Sequence, residues 1–177
     1  SRPTPPPGRR ATAAARARAE LEYLLGDQTA HPVGSAANKA IRARLVERLE
    51  GFGLPVEVQH TIGCSFEYAV CAPVDNVLTR ISGERDSAVL LMAHYDSVPD
   101  APGAGDDGAG VAALLEIARI VRLQGPLRNT LMFAFTDAEE AGLLGAEAFF
   151  AEHAWAQHVG GVINLERRGS SGPVLLE

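Results

Sequence analysis

The chain has 177 residues, 46% of them hydrophobic and 21% charged, with a formal net charge of −6. That length and balance describe one folded domain with a sizeable core. The acidic excess, with no dense Lys/Arg patch, argues against a nucleic-acid binder, and no apolar run approaches the roughly 20 residues that span a bilayer.

Residues 1–10, "SRPTPPPGRR", read as a stiff, extended, proline-rich linker. The domain proper is taken as 11–177. "ATAAARARAELEYLLGD" predicts a helix that stops near Gly26. "HPVGSAANKAIRARLVERLEGFG" predicts a turn and a second helix, with Ile41, Leu45, Val46 and Leu49 as its apolar stripe and Gly51 and Gly53 at its end.

After Pro55 the period changes. "VEVQHTI", "FEYAVCA" and "NVLTRISG" alternate polar and apolar residues and predict three neighbouring antiparallel strands. The only two cysteines, Cys64 and Cys71, lie here. They either pair as a disulfide in an oxidising compartment or stay as small buried thiols in a reducing one.

From residue 87 onward strands and helices alternate. "SAVLLMAH", "NTLMFAFT" and "VGGVINLE" are buried-strand runs, separated by the helices "GAGVAALLEIARIVRLQG" and "AGLLGAEAFFAEH". Such alternation predicts right-handed βαβ units and an α/β fold whose parallel sheet is covered on both faces. Met92 and Met132 fall inside these strands as core residues.

In such sheets the functional crevice lies at the carboxyl ends of the strands. The first strand ends at His94 and Asp96, the second at Asp137, Glu139 and Glu140, and the third at Glu166; Asp106 and Asp107 open the intervening helix. Carboxylates crowded on one rim repel one another unless a cation sits among them. One His with several carboxylates suits zinc ahead of manganese or cobalt. Taken singly, each group has a plainer reading: Asp107 as a helix N-cap, and "DAEE" as an acidic helix start. Four groups at successive strand ends make the metal reading the better one.

The pieces "AHYDS", "GAGDDGAG", "FTDAEEAGLLGA" and "INLE", in that order, resemble the M28 zinc aminopeptidases. "HPVGSAAN" and "NVLTRISG" resemble its membrane-anchored vacuolar and endoplasmic-reticulum branch and bacterial relatives. The resemblance implies a three-layer α/β/α zinc-peptidase fold with a mixed sheet, parallel at its centre. It implies His94 and Glu166 on a first zinc, Asp106 bridging, Glu140 on a second zinc, Asp96 orienting the His94 imidazole and Glu139 as general base. It also implies a cis peptide between Asp106 and Asp107.

A His that the family places late in its domain, as a ligand of the second zinc, has no counterpart here. The chain is therefore expected to be an N-terminal portion of the catalytic domain, to hold one zinc of the two, and to be inactive alone. The expected partner of the parent protein is a peptide substrate. The parent is expected outside the cytoplasm and anchored in a membrane that this chain does not itself contact. Three alternatives share parts of the pattern: an M20-type carboxypeptidase or deacylase, a glutaminyl cyclase, and a receptor-type binding domain.

Other histidines read as structural: His31 in a turn, His60 in a strand, and His153 and His158 as solvent-facing or locally bonded groups around Trp155. Arg167 and Arg168, which follow Glu166, are candidates either for the substrate cleft or for surface ion pairs.

Overall fold

The computed structural model describes residues 7–166, with side chains from residue 13 onward. Most of the expected linker, with Arg167 and Arg168, lies outside those residues. The first helix, α1 (Pro7–Leu25), starts inside the stretch expected to be linker. Proline is well tolerated in a first helical turn because its missing N–H has no intrahelical acceptor there. The helix ends at Gly26, whose φ of 56° is the left-handed value that glycine accepts most readily.

In α2 (Ala36–Gly51) the Ser35 hydroxyl accepts the N–H of Asn38 at 3.0 Å. Ile41, Leu45 and Leu49 are buried along one face.

Five strands form one sheet in the order β1-β2-β4-β3-β5. They are β1 (Val56–Ser65), β2 (Val70–Ile81), β3 (Gly83–His94), β4 (Leu127–Thr136) and β5 (Val159–Asn164). β3 runs parallel to β4 and β5, while β2 is antiparallel to β1 and β4. The sheet is thus mixed, as expected. Two antiparallel strands replace the three predicted, because "VCA" and "NVLTRI" continue one another through Pro73. β4 pairs with β2 only from Val77, so Pro73 sits where β2 has a strand partner on one side alone, a position that tolerates a missing N–H.

The central strands bury both faces. Leu91, Ala93, Phe133 and Phe135 pack under α1, α2 and α3 (Ala109–Arg122). Leu90, Met92, Met132 and Ala134 alternate with them and meet Phe149 of α4 (Leu144–Glu152) on the other side. This is the three-layer α/β/α arrangement, and both methionines are core residues. β5 departs from it: Val162 and Ile163 are about half exposed among the described residues.

Candidate metal centre

The carboxyl ends of β3 and β4 lie side by side, with His94 opposite Thr136. β3 therefore delivers His94 to the rim on which the loop after β4 presents Glu139 and Glu140. Asp106 reaches the same place from an irregular turn, Ala104–Gly108, that precedes α3. The Asp106–Asp107 peptide is cis, as the resemblance implies. Gly103 (φ 64°) opens this turn, and a Cβ there would lie 2.9 Å from both Asp106 O and Ser97 Cβ.

His94 is buried. Its Nδ1 lies 3.1 Å from the backbone oxygen of Asp96 and 3.4 Å from Asp96 Oδ1, the environment of a donating N–H. Its Nε2 faces Asp106 Oδ1 at 3.2 Å, Glu166 Oε1 at 3.5 Å and Glu139 Oε2 at 3.8 Å. A neutral ring with Nδ1 protonated presents a lone pair there, aimed at oxygens that are themselves acceptors. Only a proton or a metal cation between them makes that arrangement favourable.

Ligand atoms of His94, Asp106 and Glu140 all lie within 4.8 Å of one another. One imidazole nitrogen with carboxylate oxygens is a donor set that suits zinc. Glu166 reaches the same imidazole from the end of β5, and Asn164 Nδ2 donates to its other oxygen at 3.2 Å.

The protonation pattern carries the mark of crowded negative charge. Burial alone would favour a neutral His94, but hydrogen bonding to Asp96 and the charges of Asp96, Glu139 and Asp107 push its pKa up to about 10. Burial raises Glu139, with Glu166, Asp96 and Glu140 adding to the rise against the pull of His94. Burial also raises Glu140, followed by the charge of Asp106.

Asp96 does more than orient a ring. Its two oxygens accept the backbone N–H of Glu139 at 2.9 Å and of Glu140 at 3.2 Å. Imidazole and carboxylate loop are therefore fixed against one buried group.

Two acidic candidates have other employment. Asp107 accepts the N–H of Gly110 at 3.1 Å, bonding the first turn of α3 from one residue ahead of its N-cap, Gly108, rather than from the cap position expected of it. Its second oxygen is buried without a hydrogen-bond partner, and burial pushes its pKa up to about 7. Asp137, expected among the rim groups, turns into the protein. It accepts from Asn38 Nδ2 at 2.9 Å and from the N–H of Ala138 at 2.9 Å.

Sequence reasoning missed Asn38, fully buried at the α2 end of that contact. The available signal was its position: Asn38 stands three residues before Ile41, on the stripe that α2 buries. His31 is likewise buried, donating its N–H to Ser97 Oγ at 2.8 Å. His60 pairs with Asp75 at 2.5 Å, and His153 with Glu57 at 3.0 Å, so neither is at the rim.

The sequence profile of Peptidase family M28 matches residues 76–176. A vacuolar membrane protease of Yarrowia lipolytica is 44% identical over 108 residues, covering 58% of this chain and 11% of that protein. One from Eremothecium gossypii is 37% identical over 181 residues, covering 90% of this chain and 18% of that protein. The chain thus spans less than a fifth of these relatives.

Among solved structures, a glutaminyl cyclase of Porphyromonas gingivalis aligns with a TM-score of 0.77 and 27% identity, over 87% of this chain and 59% of that one. A Zn-dependent exopeptidase of Parabacteroides distasonis aligns with a TM-score of 0.75 and 25% identity, over 87% and 61%. No helix among the described residues is long and apolar enough to cross a membrane.

Proposed function

Because the chain belongs to peptidase family M28, we propose that it is the N-terminal portion of the catalytic domain of a zinc-dependent aminopeptidase. The observation that carries this reading is the His94 ring. Its Nδ1 is held by Asp96, and its Nε2 is aimed at Asp106 and Glu166 with Glu139 beside them. His94, Asp106, Glu140 and Glu166 are the metal ligands in this reading. Asp106 would serve both ions, His94 and Glu166 would hold the first, and Glu140 would hold the second. One of those two ions finds its ligand set within this chain.

Zinc supplies a Lewis acid for the peptide carbonyl and for water. The remaining work falls to this chain's own groups. Glu139 acts as general base, accepting a proton from the attacking water and returning it to the departing amine. Partial burial raises its pKa above the ordinary carboxylate value, a direction that makes it a better proton acceptor. Asp96 holds the His94 tautomer that keeps Nε2 free of hydrogen, and it also anchors the Glu139 and Glu140 backbone.

The family resemblance implies one further histidine ligand for the second ion, and this chain covers about three-fifths of the solved neighbours' length. In this reading turnover needs both ions and is assayed on the full-length protein. Its vacuolar membrane relatives and the disulfide between Cys64 and Cys71 support a membrane-anchored parent with this domain outside the cytoplasm.

The test uses the full-length protein and peptides with free or acetylated N-termini, before and after chelation and zinc re-addition. Sequential release of N-terminal residues from the free peptides only, abolished by chelator and restored by zinc, is expected. Cyclisation of N-terminal Gln without peptide cleavage would instead support the glutaminyl cyclase reading, which the Porphyromonas gingivalis neighbour favours as the second choice. Absence of both activities in the zinc-loaded protein would overturn the enzyme reading.

A further inference from the structure

Two segments distant in sequence meet beside the metal centre. One is the hairpin turn between β1 and β2, and the other is the loop after β4 that carries Glu139 and Glu140. Between them lies a cavity of about 580 Å³, lined by Tyr68 and Val70 on one side and by Glu139, Glu140, Gly142 and Leu143 on the other. That volume is within the range of small-ligand pockets. Its walls are divided by chemistry: the two carboxylates stand at the reacting centre, while Tyr68, Val70 and Leu143 offer apolar surface. Tyr68 is 64% exposed and Leu143 50% exposed, so both keep surface available to a ligand.

The Tyr68 ring is fitted to its place. A Cβ on Gly142 would lie 2.7 Å from Tyr68 Cδ2, closer than real atoms approach, and Gly142 has φ 111°. Glycine at 142 is what lets the ring lie against the loop of the two carboxylates. The hairpin is cross-linked just behind it. Cys64 and Cys71 are direct partners in the β1–β2 register and are joined by a disulfide. Tyr68 is thus carried by a fastened turn rather than a free loop, and a preorganised wall costs less ordering entropy when a ligand arrives.

We propose that Tyr68, with Val70 and Leu143, forms a specificity pocket for an apolar side chain, leucine or phenylalanine in kind, on a substrate residue flanking the scissile bond. The proposal rests on the peptidase reading for the word substrate, but the pocket's preference is a binding property that can be measured without turnover. A side chain entering it removes its own surface and that of Tyr68 and Leu143 from water, which favours large apolar groups over alanine or glycine. An acidic side chain would meet the carboxylates of Glu139 and Glu140 instead.

The experiment uses the full-length protein carrying Glu139→Gln, so that peptides bind without being consumed. Calorimetry then compares peptides with Leu, Phe or Ala at each of the two positions flanking the bond, with and without Tyr68→Ala or Tyr68→Phe. At one of those positions we expect Leu and Phe to bind about tenfold or more tighter than Ala, as differences of several methylenes in a pocket allow. Tyr68→Ala should bring that ratio below about threefold, while Tyr68→Phe keeps it. An absent preference, or one that Tyr68→Ala leaves intact in a protein with an unchanged circular dichroism spectrum, overturns the pocket.

The wild-type turnover assay separates the two claims. A Tyr68-dependent preference in a protein that cleaves no peptide would sink the peptidase reading and keep the pocket. Cleavage with a preference indifferent to Tyr68 would do the reverse.

Discussion

Asp96 illustrates how much of the proposed metal centre rests on a group behind the candidate ligands. Buried behind His94, it contacts the ring's Nδ1 and also accepts the backbone N–H groups of Glu139 and Glu140. Asp96→Asn keeps the shape but replaces one acceptor oxygen with a donor NH₂. Zinc affinity is expected to fall about 10–100-fold, the usual cost of disturbing such a partner, as read by competition with a chromophoric chelator. Glu139→Gln should behave oppositely, leaving zinc affinity within about threefold while peptide turnover by the full-length protein drops by a factor of 100 or more. The family resemblance makes the first contact of Asp96 legible in the sequence. Its two contacts with the 139–140 backbone depend on how β3 and β4 sit side by side, and no local pattern records that. Asp137 was misplaced for the same reason: its donor, Asn38, lies 99 residues away.

At the scale of elements, α3 is anchored at its start and at its middle by polar contacts. At its start, Gly110 approaches Asp107 so closely that a Cβ would sit 2.2 Å from Asp107 Oδ1. Gly110→Ala should therefore destabilise the fold by about 1–3 kcal/mol, the range for forced overpacking, in urea denaturation. At its middle, the buried Glu116 accepts Arg119 Nε at 2.6 Å and Arg16 Nε at 3.0 Å, tying α3 to α1. Hydrogen bonding from Arg119 chiefly, and from Arg16, lowers the Glu116 pKa below its usual 4.5 despite the opposing effect of burial. With the folded value depressed, the unfolded chain binds the extra proton first. The stabilisation is complete above about pH 4.5 and is lost as pH falls through the lowered folded value. Glu116→Gln should cost about 1–3 kcal/mol at pH 7, the worth of hydrogen bonds to a charged group, and flatten the acid limb of the stability profile.

The helices and parallel strands were legible because long apolar periods fix them. The β1–β2 region was not, because turn residues at Phe66–Ala69 and a proline at 73 look alike in sequence, yet only the former break the strand.

For the whole molecule, topology does the assembling. Parallel strand–helix alternation brings His94, Glu139, Glu140 and Glu166 to one end of the sheet, and the turn before α3 adds Asp106. The gathering of these residues could be foreseen from successive strand ends. The cavity under Tyr68 could not, since the hairpin reaches the loop after β4 only once β2 has paired with β4. The Cys64–Cys71 bond closes a short loop, so its removal by paired serine substitution should cost only about 2–3 kcal/mol by chain entropy. A thermal melt should show a modest fall without loss of cooperativity.

The central claim is that the acidic rim exists to hold zinc, and equilibrium zinc binding by the folded protein tests it most directly. At a low, buffered zinc concentration, with elemental analysis after dialysis, the account predicts saturable binding near one ion for this chain, lost on His94→Ala and on Asp106→Ala. Binding that is absent from the folded protein, or that survives both substitutions, would contradict it.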